Sequence, residues 1–227
     1  MAKKRRRKKR QNTSLLSVAI AAVAIIWGVY TKGGQENLTS SSSSSTSSSA
    51  VSSAQTAKTV YGGLAKSDYQ KLAQETFKSG GKGWRYVNNN HSTLVKSAWK
   101  VNRVIYSNLD SQNRTSSSNT AFLEKRNVTN DALRVRHYIQ PTGWHSNRRN
   151  GTQIYNRGHL IAYSVSAGID QDGNYNPKNQ SGDQNNPKNL FTQSAFSNQK
   201  IQTIFESKVR SALRSGKKVI YQATPIF

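Results

Sequence analysis

The sequence predicts an α+β fold, an antiparallel sheet with one long helix packed across it. Three observations predict it. Residues 194–215 place Ala195, Ile201, Ile204, Phe205, Val209, Ala212 and Leu213 at helical spacing, and Gly216 stands where such a helix would stop. Strand-like runs flank this segment, with Ile154 and Tyr155 before it and residues 218–224 after it. About 170 residues from Lys58 onward suffice for one well-buried core.

In chain order, residues 1–13 contain eight consecutive Lys and Arg at 3–10 and read as a basic cytoplasmic tail. Residues 14–31 read as a transmembrane signal-anchor. Positions 14–30 carry no charge, and as a helix they span about 25 Å, near the lower limit for a bilayer. Trp27 and Tyr30 fall where an aromatic belt would sit, and the basic block before the span would stay inside. The expectation is a single-pass protein of the cell membrane with its body outside. A cleaved signal peptide competes, because Ala19-Ile20-Ala21 and Ala22-Val23-Ala24 resemble cleavage sites, and it would make the protein secreted. The continuing apolar run Ile25-Ile26-Trp27 favours the anchor. Residues 32–57 form a flexible linker, with eleven serines between 39 and 55 and almost nothing to bury.

Residues 58–227 are the folded domain. A short helix is expected over residues 65–77, with Leu72 and Ala73 inward and Gly80-Gly81 halting it. Val87 begins a polar run, Asn88-Asn89-Asn90. Residues 98–109 fit strand or loop equally. In residues 132–139, Leu133, Val135 and Tyr138 alternate with Arg134, Arg136 and His137, which predicts a half-buried strand. Pro141-Thr142-Gly143 is a turn, and Ile154-Tyr155 lead as a second strand into a corner at residues 156–159. A polar loop over residues 170–189 then carries Asn-Pro-Lys-Asn twice, at 176–179 and 186–189.

Composition narrows the function. The absence of cysteine excludes disulfides, Cys-ligated zinc, Fe–S clusters and thiol nucleophiles. The formal net charge is +24, and from residue 56 onward 25 Lys and Arg oppose 9 Asp and Glu, so the body alone carries +16. Such a surface attracts polyanions: DNA, RNA, anionic lipid or cell-wall polymer.

The chemistry is concentrated in Asn156-Arg157-Gly158-His159-Leu160 and the helix after it. His159 is a base available near neutral pH. Asn198, Gln202, Glu206 and Arg210 are spaced four apart and form one polar stripe on the helix, which supplies an amide oxygen, a carboxylate and a guanidinium. A hard oxygen donor, a base and two guanidinium groups are the parts needed to hydrolyse a phosphodiester with one Mg²⁺.

In order and spacing these residues resemble the DNA/RNA non-specific endonucleases of the ββα-metal class, and most of all the membrane-bound DNA-entry nucleases. Phe77-Lys78-Ser79-Gly80, Leu109-Asp110 with Asn113-Arg114, and Pro141-Thr142-Gly143-Trp144 extend the resemblance over residues 74–227. It implies a ββα-metal nuclease fold with His159 as general base and Asn198 as the Mg²⁺ ligand, Mn²⁺ being an alternative. It gives Glu206 the task of holding metal-bound waters, and Arg157 and Arg210 that of stabilising charge on the scissile phosphate. Asn189 is implied as a further metal ligand, with Asn156, Gly158, Gln193 and Gln199 in support. Gly158 would serve a close backbone approach at the corner. The family pattern carries Asp where Asn156 stands. The family also continues with several strands beyond residues 219–225, so a chain ending at Phe227 implies an incomplete sheet with an exposed edge, or a truncated product.

The function implied is a metal-dependent, sequence-tolerant endonuclease acting on extracellular DNA, with RNA a further candidate. The alternative is a non-catalytic surface DNA receptor or uptake module. A cell-wall-associated basic protein is a third reading. Nothing in the sequence points to a protein partner. Four other features are set aside. Asp170, Asp172 and Asn174 lack the glycine and glutamate positions of a Ca²⁺ loop. The glycine-rich run 77–84 does not fit a phosphate-binding P-loop. A metal-free two-histidine RNase built on His137 and His145 is disfavoured, since His137 is expected on the sheet and His145 in a turn, and His91 receives no role.

Overall fold

Residues 218–225 are rich in β-branched and aromatic side chains, which favour a pleated, packed strand, and the main sheet is built around them. The structure is a computed structural model that describes residues 23–30, 61–76 and 78–227. In chain order the elements are β1 (Val23–Tyr30), α1 (Lys66–Ala73), β2 (Arg103–Ile105), β3 (Asn119–Leu123), β4 (Arg148–Arg149), β5 (Thr152–Gln153), β6 (Tyr155–His159), β7 (Leu190–Ser194), α2 (Thr203–Arg214) and β8 (Lys218–Pro225). A π-helical turn, Ser197–Gln202, leads directly into α2.

The main sheet has the order β1-β8-β3-β2, antiparallel throughout. One face is covered by α2 and the 160–169 segment, where Leu123, Leu160, Ile161, Val209, Leu213 and Tyr221 are almost completely buried. The other face carries a smaller cluster of Leu64, Leu94, Phe122, Ile220 and Ile226, against which Leu72 of α1 packs. β3 is buried along its whole length because both faces are covered. β6 and β7 form a separate antiparallel pair beside the start of the long helix. This strand pair with its helix is the ββα unit the sequence implied.

Several expectations change. Residues 23–30 of the predicted transmembrane span are β1, paired residue for residue with β8. The run Val-Ala-Ile-Ile-Trp-Gly-Val-Tyr is dominated by β-branched and aromatic residues, so it suits a strand as well as it suits lipid. Among the described residues no helix is long and apolar enough to cross a membrane. The basic tail, positions 14–22 of the predicted anchor, the serine-rich linker and Phe77 lie outside the described residues. The exposed edge expected at β8 is not found, since β1 and β3 occupy its two sides.

The first helix is shorter than expected and ends at Ala73, which is exposed. The strand expected over residues 132–139 does not form. A 3-10 turn at Asp131–Leu133 leads into irregular chain, and Leu133, Val135 and Tyr138 stand in solvent. Arg134, Val135, Arg136 and His137 all border the cleft, so the alternation marks no buried face. The predicted corner at residues 156–159 is itself strand β6, and the chain turns only after His159. Gly216 ends the long helix as expected, with φ +79° and its N–H on Leu213 O at 2.9 Å.

Candidate active site

The β6–β7 register sets Asn156 opposite Gln193 and His159 opposite Leu190. The Gln193 side chain crosses directly above Gly158. A Cβ on Gly158 would lie 2.2 Å from Gln193 Oε1, so only glycine leaves room. Gln193 Oε1 then accepts from Asn198 Nδ2 at 3.1 Å, while Gln193 Nε2 donates to Ser197 Oγ at 2.8 Å. With its NH₂ held by Gln193, the Asn198 amide turns Oδ1 towards Asn156, whose Nδ2 donates to it at 3.0 Å. A carbonyl oxygen has a second lone pair, which remains for another partner.

The π-helical turn brings the polar stripe into register with this strand pair. Gln202 donates from Nε2 to His159 O at 2.6 Å and to Glu206 Oε1 at 2.9 Å, tying the helix to strand β6. Its Oε1 is buried without a partner. Arg210 donates to Ser164 Oγ at 2.8 Å and to Ser207 Oγ at 3.0 Å, so it turns to Ser164 rather than forming the helical ion pair with Glu206.

His159 is only 7% exposed. Its Nε2 lies 3.2 Å from Gln184 O, an acceptor that requires the proton on Nε2 and leaves the lone pair on Nδ1. The His137 ring stands 5.2 Å away, centroid to centroid, with its Nε2 2.6 Å from Gln184 Nε2. Burial, then the neighbouring His137 and Arg134, push the His159 imidazole down to about 3. His137 is lowered to about 4 by burial and by Arg157 and Arg134. Both rings are therefore neutral at physiological pH. Burial raises the Glu206 carboxyl above its ordinary value.

These groups line one open cleft of about 610 Å³, which His159, Asn198, Gln199 and Glu206 share with Arg134, Arg136 and Arg157. Arg157 lies over the Trp144 ring at 4.9 Å and reaches Ile139 O at 3.3 Å. Glu206 is the only acidic residue in that lining, so the cleft is positive and suits a phosphate chain.

The structure thus brings together His159, Arg157, Asn156, Asn198, Gln199 and Glu206, with Gly158 and Gln193 immediately behind them. Two expected residues sit elsewhere. Asn189 is fully buried beneath the strand end. Its Oδ1 accepts from Ile161 N at 2.8 Å, and its Nδ2 donates to Ile161 O at 2.9 Å and to Asp183 Oδ2 at 3.1 Å. It braces the turn after His159 and offers nothing to a metal in the cleft. Arg210 lies outside the cleft lining and donates to the hydroxyl of Ser164, which belongs to it. Sequence reasoning missed His137, Gln184 and Arg134. The clue for two of them was the basic cluster Arg134, Arg136 and His137 in a segment mistaken for sheet, whereas Gln184 gave no signal.

A sequence model of DNA/RNA non-specific endonucleases matches residues 92–227. Among solved structures, NucA from Streptococcus agalactiae with a magnesium ion bound is similar at 28% identity, over 72% of this chain and 77% of that one, with a TM-score of 0.49. The same organism's NucA with no metal bound is 31% identical over 63% and 67% of the two chains, with a TM-score of 0.45.

Proposed function

The chain belongs to the DNA/RNA non-specific endonuclease family, and from that premise we propose that it is a metal-dependent endonuclease with His159 as its general base. One observation carries the assignment of the base. His159 Nε2 is committed to Gln184 O, which leaves Nδ1 as the proton acceptor in a cleft shared with Asn198, Glu206 and three arginines.

The donor set fits a hard divalent cation. Asn198 Oδ1 and the Glu206 carboxylate both line the cleft, and the unpartnered Gln202 Oε1 lies on the helix between them. Mg²⁺ prefers oxygen ligands and retains several waters, so one amide oxygen with a nearby carboxylate to hold those waters suits it, and Mn²⁺ accepts the same set. Bound there, the metal would supply positive charge against the phosphate and the leaving oxygen.

The chain's own groups then divide the work. His159 Nδ1 takes a proton from a water in the cleft. The water oxygen bonds to phosphorus as the bond from phosphorus to the leaving sugar oxygen breaks. Arg157 presents its guanidinium to the phosphate, held in place by Trp144 and the Ile139 carbonyl. Glu206 orients water, and Gln202 keeps Glu206 at a fixed distance from the base-bearing strand. Contacts to phosphate carry no sequence information, so the substrate is nucleic acid of any sequence, DNA and RNA being cleaved by the same chemistry.

Incubating the full chain with supercoiled plasmid and Mg²⁺, beside an EDTA control, tests the proposal. Nicked and then fragmented plasmid that EDTA abolishes is expected. Intact plasmid that is merely retarded in the gel would favour a non-catalytic DNA receptor.

A further inference from the structure

The glycine-rich run that fits no phosphate loop has a definite place in the fold. Gly83 lies against the Phe196 ring, close enough that an added Cβ would sit 3.0 Å from Cε1. The next residue, Trp84, packs edge-to-face on Tyr86 with centroids 4.9 Å apart and planes at 71°. Phe196 immediately precedes the π-helical turn that carries Asn198, and stands three residues before Gln199 in the cleft wall.

These three rings belong to neither hydrophobic core and remain exposed, at 36% for Trp84, 51% for Tyr86 and 59% for Phe196. Aromatic side chains left in water at one place usually mark a binding surface. The local charge says for what. From Thr76 to Leu109 the sequence holds six Lys and Arg and no acidic residue, and Lys78, Lys82 and Arg85 are interleaved with the glycines and aromatics of this loop. Arg85 also pairs with Glu75 at the loop's base. A basic surface bearing exposed rings is the arrangement that holds unpaired nucleotides, because the cations follow the phosphates while the bases stack on the rings. A duplex keeps its base faces stacked on one another and gains nothing from such rings.

We propose that Trp84, Tyr86 and Phe196 form a stacking platform for unpaired nucleotides of the strand whose phosphate enters the cleft, which would make the protein favour single-stranded DNA or RNA. The proposal rests on the nucleic-acid-cleaving reading of the cleft, which it deepens by naming the form of substrate. Phe196 links the two sites, since the loop rests on it and the helix bearing Asn198 begins beside it.

The test separates binding from cleavage. The full chain carrying His159→Ala, in EDTA, is titrated into a labelled oligothymidylate and into a mixed-sequence duplex of equal length, and fluorescence anisotropy is read. Trp84→Ala and Phe196→Ala should each weaken oligothymidylate binding about 10-fold, leave duplex binding nearly unchanged, and retain most affinity when the replacement is Trp84→Phe or Phe196→Tyr. Unchanged oligothymidylate affinity, or an equal loss on both ligands, would overturn the platform. Because no cleavage is needed in this assay, failure of the platform shows here, and failure of the nuclease reading shows as intact plasmid with Mg²⁺.

Discussion

His159 shows how much one carbonyl decides. Gln184 O fixes which ring nitrogen bears the proton, and burial beside His137 and Arg134 keeps the imidazole neutral. A base must be unprotonated to act, so with His159 in the proposed role its lowered pKa should carry the acid limb of the activity profile below the ordinary histidine value of about 6.5. His137 becomes charged only below about pH 4, and replacing it with Gln removes that charge from beside His159 where His159 itself titrates. The limb of kcat/KM should then move up in pH towards the ordinary histidine value, which a pH–rate series on both proteins would measure. A limb that stays put would show that His137 does not act on the base. That His159, Asn198, Glu206 and Arg157 share one cleft was legible in sequence, because their types and spacings are chemically specific. Asn189 was misplaced for a physical reason, since an amide serves equally well to ligate a cation or to brace a backbone turn, and only the fold shows that Ile161 and Asp183 already occupy it.

At the level of elements, β6, β7 and the π-helical turn act as one unit joined by side-chain amides. Gly158 is the clearest case, because Gln193 passes over it to reach Asn198. Gly158→Ala would force Gln193 aside and break that bond. It should cost on the order of 1–2 kcal/mol of stability and lower cleavage further than the stability loss explains. Denaturant unfolding and cleavage rates on the same preparation check this, and wild-type cleavage in the variant would contradict it. The helix 194–215, its stop at Gly216 and β8 were readable from periodicity and a glycine. The π turn was not, since its residues also satisfy α spacing. Residues 132–139 misled because alternation alone does not show that one face is buried, and here consecutive residues 134–137 all border the cleft.

Across the whole molecule, the buried histidines tie folding to pH. His137 and His159 have folded-state values near 4 and 3, below the unfolded value of about 6.5, so the unfolded chain binds more protons in that window. Their contribution to stability is present above pH 6.5 and is lost as pH falls towards 3. Asp183 works in the opposite sense, because burial raises its carboxyl to about 6 and its contribution weakens as pH rises from about 4 to 6. Two large histidine shifts outweigh one carboxyl shift, so Tm should fall between pH 7 and pH 4.5, and His137→Gln should flatten that fall. A Tm independent of pH over this range would contradict the account. Net charge was visible in the sequence at this scale, whereas the pairing of residues 23–30 with β8 was not. An apolar run of eight residues, four of them β-branched, suits either a bilayer or a sheet edge, and only its register with β8 distinguishes the two.

The most direct measurement is the initial rate of plasmid cleavage against Mg²⁺ concentration for the wild type, His159→Ala and Asn198→Ala. With His159 as the base and Asn198 as the metal's protein ligand, His159→Ala should lose about 100-fold or more in rate at every Mg²⁺ concentration, while Asn198→Ala should shift the Mg²⁺ midpoint upward. A His159→Ala protein that cuts at the wild-type rate, or an unchanged midpoint in Asn198→Ala, would contradict that division of roles.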